Sequence, residues 1–147
     1  MRSGGFTLIE LLVVVALMTI MAAAVLLIIK PGKRTGQARD ATRQSDIGQI
    51  ANALKAYYTI RETYPGPSGA ATASGLTALV SSGDLKSIPT DPTGGDYQYS
   101  VSGIGIGAAA AVYAVLEDPT SGAGSFVWCF RTESVKSFEV TSGSCLP

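Results

Sequence analysis

The fold of this chain is decided by its amino-terminal stretch Gly4-Gly5-Phe6-Thr7-Leu8-Ile9-Glu10-Leu11-Leu12-Val13-Val14. This stretch opens an apolar segment, residues 6–29, in which only Thr7, Glu10 and Thr19 are polar. A helix of that length rises about 36 Å, which is enough to cross a hydrocarbon core of about 30 Å. The pattern therefore predicts a membrane-spanning helix over residues 6–29.

Three kinds of membrane segment are compatible with residues 6–29. A plain anchor is one, and a cleaved secretory signal is another, since Arg2 precedes the apolar run and Ala22-Ala23-Ala24 contains an A-x-A pattern. Neither explains Glu10, because a carboxylate inside a membrane helix costs about 2.5–3.5 kcal/mol on the mildest insertion scale. Glu10 therefore favours a third kind, in which the carboxylate has a partner, and the alternative is a Glu10 that merely reaches the headgroup region.

Composition narrows the class of protein further. The chain has 147 residues, 15% of them charged, with no histidine and two cysteines. Without histidine there is no Ser-His-Asp or Cys-His pairing, and two cysteines cannot form a four-thiolate zinc site. We therefore expect no enzyme and no cofactor.

The balanced net charge divides into 0 over residues 1–29, +4 over residues 30–62 and −4 over residues 63–147.

Residues 30–62 predict an amphipathic continuation of the helix. Pro31 and Gly32 disrupt a helix, so the first helix either stops there or bends and resumes. An apolar stripe at helical spacing favours resumption, and Pro65 ends the helix near Tyr64. The stripe comprises Ile47, Ile50, Ala51, Leu54, Tyr57 and Tyr58.

Residues 63–147 predict a small globular head. The Gly, Ser and Ala-rich stretch up to Gly75 is typical of a loop. Alternating or β-branched runs at 97–101, 111–116, 126–131 and 137–141 indicate three or four sequential strands. The fold class is therefore α+β, a long amino-terminal helix packed against a small antiparallel β-meander.

The amino-terminal stretch resembles the cleavage and methylation signal of type IV prepilins and type II secretion pseudopilins. That signal is a short leader ending in glycine, then an aromatic residue, then a glutamate four positions later in an apolar helix. The resemblance implies a leader over residues 1–5, cleavage after Gly5 and methylation of the new amino terminus at Phe6. It also implies that Glu10 pairs with the amino terminus of a neighbouring subunit during assembly.

The resemblance implies a pilin-like structural subunit with the fold described above. The first function it implies is a type IV pilus-like filament, and the alternative is a major type II secretion pseudopilin. A remoter alternative is an anchored binding protein that does not assemble. Implied partners are other copies of the chain, a prepilin peptidase, an assembly platform protein with its cytoplasmic ATPase, and the membrane before assembly.

The same resemblance implies a single pass through the inner membrane with the head outside the cytoplasm, then an extracellular pilus or a periplasmic pseudopilus. The positive-inside rule disagrees, because five basic residues follow the span closely and one precedes it. We interpret this basic cluster as a solvated collar beside anionic headgroups. The absence of interleaved aromatic residues argues against a nucleic-acid surface. The cluster comprises Lys30, Lys33, Arg34, Arg39 and Arg43.

Two features of the head leave alternatives open. Cys129 and Cys145 resemble the disulfide-bounded region of type IV pilins, and the alternative is a pair of buried thiols. Major pseudopilins often bind calcium in a loop rich in Asp and Gly, which corresponds here to residues 117–122. That loop has only two carboxylates and no D-x-D-x-D-G string, so we expect a plain turn and no metal.

Overall fold

The computed structural model describes residues 5–66, 69–103, 105–106, 108–122, 124–134 and 136–147, without the side chains of residues 27–29 and 70. Most of the predicted leader, residues 1–4, therefore lies outside the described residues. The chain divides into two compact units, Met1–Thr35 and Gly36–Pro147.

The first unit contains helix α1, Leu8–Ile29. Thr7 has extended backbone angles and caps the amino-terminal end of the helix. Lys30 ends the helix in the left-handed region at φ 45°. A lysine is strained in that conformation, and the next residue is Pro31, so α1 ends at the position where the sequence predicted a disruption.

Helix α2, Pro31–Arg61, begins directly after Lys30 and extends into the second unit. Proline is tolerated at a first helical position because the N–H that it lacks would have no partner inside the helix. The predicted resumption of the helix is therefore confirmed. Glu62 follows at φ 54°, so α2 ends at Arg61, four residues before Pro65.

The second unit contains a five-stranded antiparallel sheet in the order β1-β2-β3-β4-β5, a simple meander. A 3₁₀ turn, Ala73–Gly75, and a short helix α3, Thr77–Ser81, lie between the first two strands. The predicted α+β fold is confirmed. The strands are β1 Gly69–Thr72, β2 Gln98–Ser102, β3 Ala109–Val115, β4 Phe126–Arg131 and β5 Ser137–Thr141.

Strand β1 was not predicted, because the stretch up to Gly75 was interpreted as a loop. It pairs with β2 in the register Gly69↔Val101 to Thr72↔Gln98. Gly-Ala-Ala-Thr has little intrinsic preference for a strand, so this edge strand depends on the hydrogen bonds that β2 offers.

The main core lies between α2 and one face of the sheet. Ile47, Ile50 and Leu54 are fully buried, and they belong to the same cluster as Tyr99, Val112 and Phe130. Tyr57 and Tyr58, the last members of the predicted stripe, are only half-buried. A smaller cluster on the other face contains Ala111, Val127, Cys129 and Cys145. The sheet is therefore covered on both faces, which a head of this size needs for stability.

Candidate assembly helix and charged network of the head

The predicted cleavage point lies in an exposed segment outside regular structure. Gly5 and Phe6 precede α1, and the Phe6 side chain is 81% exposed. A side chain added at Gly5 would meet no atom within 4 Å. The peptide bond between these residues is therefore accessible in the described structure, while cleavage there and methylation of Phe6 stay predictions.

Thr7 and Glu10 together form the first turn of α1. The backbone N–H of Glu10 donates to Thr7 Oγ1 at 3.3 Å, and the Leu11 N–H approaches the Thr7 carbonyl at 3.3 Å. The spacing Thr-x-x-Glu is the signature of a capping box, a signal that the sequence analysis missed. The carboxylate of Glu10 is exposed in this turn, where the helix dipole favours negative charge.

Apart from Glu10 and Thr19, the surface of Leu8–Leu26 in α1 is apolar on all sides. Residues Leu8–Leu26 are long and apolar enough to cross a membrane, and none of this window is buried in the structure. Their exposed side chains, among them Leu11, Leu12 and Val15, have no other cover within the described structure. An apolar surface of this extent requires a lipid or protein environment.

Arg43 is the centre of a charged network in the head. The residue is 3% exposed, and its side chain forms ion pairs with Asp40 at 2.8 Å, Asp91 at 2.6 Å and Glu117 at 2.8 Å. Arg39 also pairs with Glu117. The network joins α2 to the loop before β2 and to the loop between β3 and β4, so it fixes the position of both loops against the helix.

Asp40, which is 5% exposed, also accepts hydrogen bonds from the backbone. The N–H groups of Glu117 and Asp118 donate to its carboxylate at 3.0 and 2.8 Å. The buried Asp40 carboxylate therefore pairs with the Arg43 guanidinium and accepts from two loop N–H groups, and a buried charge requires such partners.

The network changes the ionisation of its members. Hydrogen bonds to Asp91 raise the pKa of Arg43, and the Arg43 guanidinium lowers the pKa of the Asp91 carboxyl well below its usual range. The pKa of Glu117 is lowered chiefly by its hydrogen bond to Arg39. Burial raises the pKa of Tyr97, whose hydroxyl also donates to Asp46 at 2.6 Å. Asp91 and Glu117 are therefore ionised at neutral pH.

These contacts correct one interpretation of the sequence. Arg43 was placed in a solvated basic collar, but it is buried and paired with three carboxylates. Asp46, three residues further along α2, accepts the Tyr97 hydroxyl. The sequence reasoning missed the network because Asp91 and Glu117 are 48 and 74 residues away along the chain and carry no local pattern.

The loop between β3 and β4 does not offer the ligands that calcium requires. Calcium takes six to eight oxygen ligands. Glu117 instead pairs with Arg39 and Arg43, and Asp118 accepts from Gln37 Nε2 at 2.7 Å. Among the described residues, no cluster of three or more Cys, Asp or Glu side chains could hold a metal ion. The residues present therefore do not fit the calcium site suggested by the resemblance.

Cys129 and Cys145 form a disulfide with a Cα to Cα distance of 5.8 Å. Cys129 lies in β4, and the bond holds the carboxy-terminal segment against the smaller cluster. Of the two alternatives from the sequence, the structure supports the disulfide. Trp128 is half-buried and packs against the main core.

Comparison with known proteins identifies the family. Residues 1–26 match the prokaryotic N-terminal methylation motif, and residues 32–125 match type II secretion system (T2SS), protein G. The chain belongs to the protein G family of the type II secretion system. The protein G match covers α2 and strands β1 to β3, and it ends just before β4 and the disulfide.

Two relatives of this chain are identical to it at about a third of the aligned residues. The type II secretion system core protein G of Pseudomonas aeruginosa is 36% identical over 115 residues, covering 69% of this chain and 76% of the relative. That of Vibrio cholerae is 34% identical over 110 residues, covering 67% and 70%. No solved structure matches the chain significantly.

The protein G match changes the order of the two filament predictions. The chain is a pilin-like structural subunit, as both predictions required. The first function inferred from the resemblance was a type IV pilus, but the relatives are type II secretion proteins, so the comparisons support the alternative. The cysteine pair, which favoured a pilus in the sequence, lies outside the part that matches protein G.

Proposed function

We propose that this chain is the major subunit of a type II secretion pseudopilus and that it works by assembly rather than catalysis. The observation that carries the proposal is the combination, in one chain, of a protein G head with an uncovered apolar helix. That helix follows an exposed Gly5-Phe6 bond and contains Glu10 in its first turn. In a filament whose core is built from such helices, the apolar helix forms the core, the Gly5-Phe6 bond is the cleavage point and Glu10 is the pairing group.

Processing and assembly follow from the chemistry of the first turn. A prepilin peptidase cuts after Gly5, and methylation of Phe6 leaves a cationic amine at the head of α1. The Glu10 carboxylate of an adjacent subunit neutralises that amine, because a charge in an apolar environment is stable only when it is paired. The pairing selects one axial position for each entering subunit.

The apolar helix and the disulfide indicate where the subunit is located before assembly. The apolar helix α1 holds the subunit in the inner membrane before assembly, with the head in the periplasm. The disulfide supports this side of the membrane, because such bonds persist in oxidising compartments. An assembly platform protein and its cytoplasmic ATPase supply the work of extracting the helix from the membrane.

Deletion of the gene in the source bacterium tests the proposal against a surface pilus. We expect exoproteins to accumulate in the periplasm and to disappear from the medium, with surface pili unchanged. A plasmid copy of the chain restores secretion, while a copy with Glu10→Ala is inserted but does not restore it. Normal secretion with loss of surface pili would contradict the proposal and favour the pilus.

A further inference from the structure

The backbone N–H groups of the loop between β3 and β4 donate to carboxylates of other elements. Glu117 and Asp118 donate theirs to Asp40, as described above, and Thr120 and Ser121 donate theirs to Glu139 at 3.1 and 2.9 Å. The Thr120 hydroxyl donates to the same carboxylate. Pro119, between the two pairs, has no N–H. Every backbone donor from residue 117 to residue 121 is therefore directed at a carboxylate.

The two acceptors belong to elements on either side of the loop. Asp40 lies in α2 and Glu139 in β5, opposite Trp128 of β4. The loop is therefore attached to the helix at its first half and to the last strand at its second half. Hydrogen bonds to ionised groups are stronger than neutral ones, so both carboxylates favour this conformation of the loop.

This arrangement has the opposite polarity to a cation site. A calcium loop turns carbonyl and carboxylate oxygens toward the ion, whereas here the N–H groups converge on carboxylates supplied by other elements. The loop's own Glu117 is neutralised by Arg39 and Arg43. A divalent cation at this point would meet the positive ends of four N–H dipoles and two guanidinium groups.

We propose that Asp40 and Glu139 clamp the β3–β4 loop in place of a metal ion, so that the head of this protein G folds and keeps its stability without calcium. The clamp uses side chains that are present in every molecule, so the loop is ordered at any calcium concentration. The inference concerns the head alone, and it stands whether or not the chain assembles into a pseudopilus.

Thermal unfolding of the mature full-length chain in detergent tests the clamp. We expect the same unfolding midpoint in EGTA, in CaCl₂ and in MgCl₂ at matched ionic strength. We expect Glu139→Gln to lower the midpoint by roughly 4–8 °C in all three solutions, since the loop loses its ionised acceptor. The matched control Glu133→Gln, at an exposed carboxylate in the turn after β4, leaves the midpoint unchanged.

Two results would overturn the proposal. One is a higher midpoint in CaCl₂ than in both EGTA and MgCl₂ for the unmodified chain. The other is a Glu139→Gln midpoint equal to that of Glu133→Gln. If Glu139→Gln does not fold, Thr120→Val replaces it, because this change removes one donor and keeps the carboxylate. A smaller decrease that is independent of calcium is then expected, and a midpoint that calcium restores would also overturn the clamp.

Discussion

Glu10 has one contact in the structure and one proposed role in assembly. Its backbone N–H is held by the Thr7 hydroxyl, and this contact needs no carboxylate. Its side chain places a carboxylate in a helix that is otherwise apolar enough to cross a membrane. The hydrogen bond from the Glu10 N–H to Thr7 does not require that carboxylate. The contact and the proposed role can be tested separately, because the Thr7 hydroxyl holds the Glu10 N–H, whereas the proposed pairing between subunits needs the Glu10 carboxylate.

Substitution of these two residues in turn separates the roles. We expect Glu10→Ala to be inserted and cut normally but to abolish filaments, because the amine of Phe6 loses its partner. We expect Thr7→Ala to retain assembly, since loss of a cap costs only about 1 kcal/mol at a helix end. Immunoblots of sheared filament and membrane fractions measure both. Equal filament yields from the two variants would show that the carboxylate has no separate role.

Arg43 carries the largest stability effect that we expect from a single side chain. Arg43→Ala leaves Asp40 and Asp91 as uncompensated acids in a buried site, which should lower the free energy of unfolding by about 3–5 kcal/mol. Lys86→Ala, at an exposed position, is the matched control and should change it by less than about 0.5 kcal/mol. Urea unfolding of the full chain in detergent measures both. A small effect of Arg43→Ala would mean that water already reaches the network.

At the scale of elements, the disulfide is the bond that holds the carboxy-terminal segment to β4. Cross-linking residues 16 apart removes denatured-state entropy worth about 3 kcal/mol. We therefore expect a reducing agent to lower the free energy of unfolding by about that amount, measured in urea with the free thiols verified by mass. A variant with both Cys129→Ala and Cys145→Ala should show no further change with reductant. An unchanged stability after complete reduction would contradict this role.

The elements that were predicted from the sequence are those with a local signal. The apolar stripe of α2 contains Ile47, Ile50 and Leu54 at helical spacing, and β4 and β5 occupy the predicted ranges. Strand β1 could not be predicted, because it exists only through its pairing with β2. The ends of β3 differ from the prediction by one or two residues, since alanines 109 and 110 carry no β-branched signal.

The part of the candidate site whose residues are close together in the sequence could be predicted. Gly5, Phe6 and Glu10 form one short motif, so their proposed roles follow from the sequence. The network of Arg43 and Asp91 was not predictable, because its members are far apart along the chain and approach only when α2 packs on the head. A buried arginine and an exposed one look the same in a sequence until their partners are known.

At the scale of the whole molecule, the charge of the head is partly balanced by its own helix. The positive segment, residues 30–62, and the negative segment, residues 63–147, meet in ion pairs from Arg39, Arg43 and Arg61 of α2. Part of the opposite charge of these two segments therefore stabilises contacts within one subunit.

These ion pairs predict how stability depends on pH. The folded-state pKa values of Asp91 and Glu117 are lowered by arginine partners, so their contribution is complete above the unfolded values near 4 and is lost as the pH falls through the folded values. We expect a constant unfolding midpoint between about pH 5 and 8, where no histidine titrates, and a progressive decrease below about pH 4. Thermal scans in detergent across this range measure it. In Asp91→Asn the decrease should be smaller, and an equally steep decrease would contradict this assignment.

The central claim is that this chain is a processed subunit of an assembling filament, and the intact mass of the mature protein tests it most directly. Protein extracted from the membrane of the source bacterium should have the mass of residues 6–147 with one added methyl group and one disulfide. A chain that still begins at Met1, or one that begins at Val25 after cleavage behind Ala22-Ala23-Ala24, would contradict the claim.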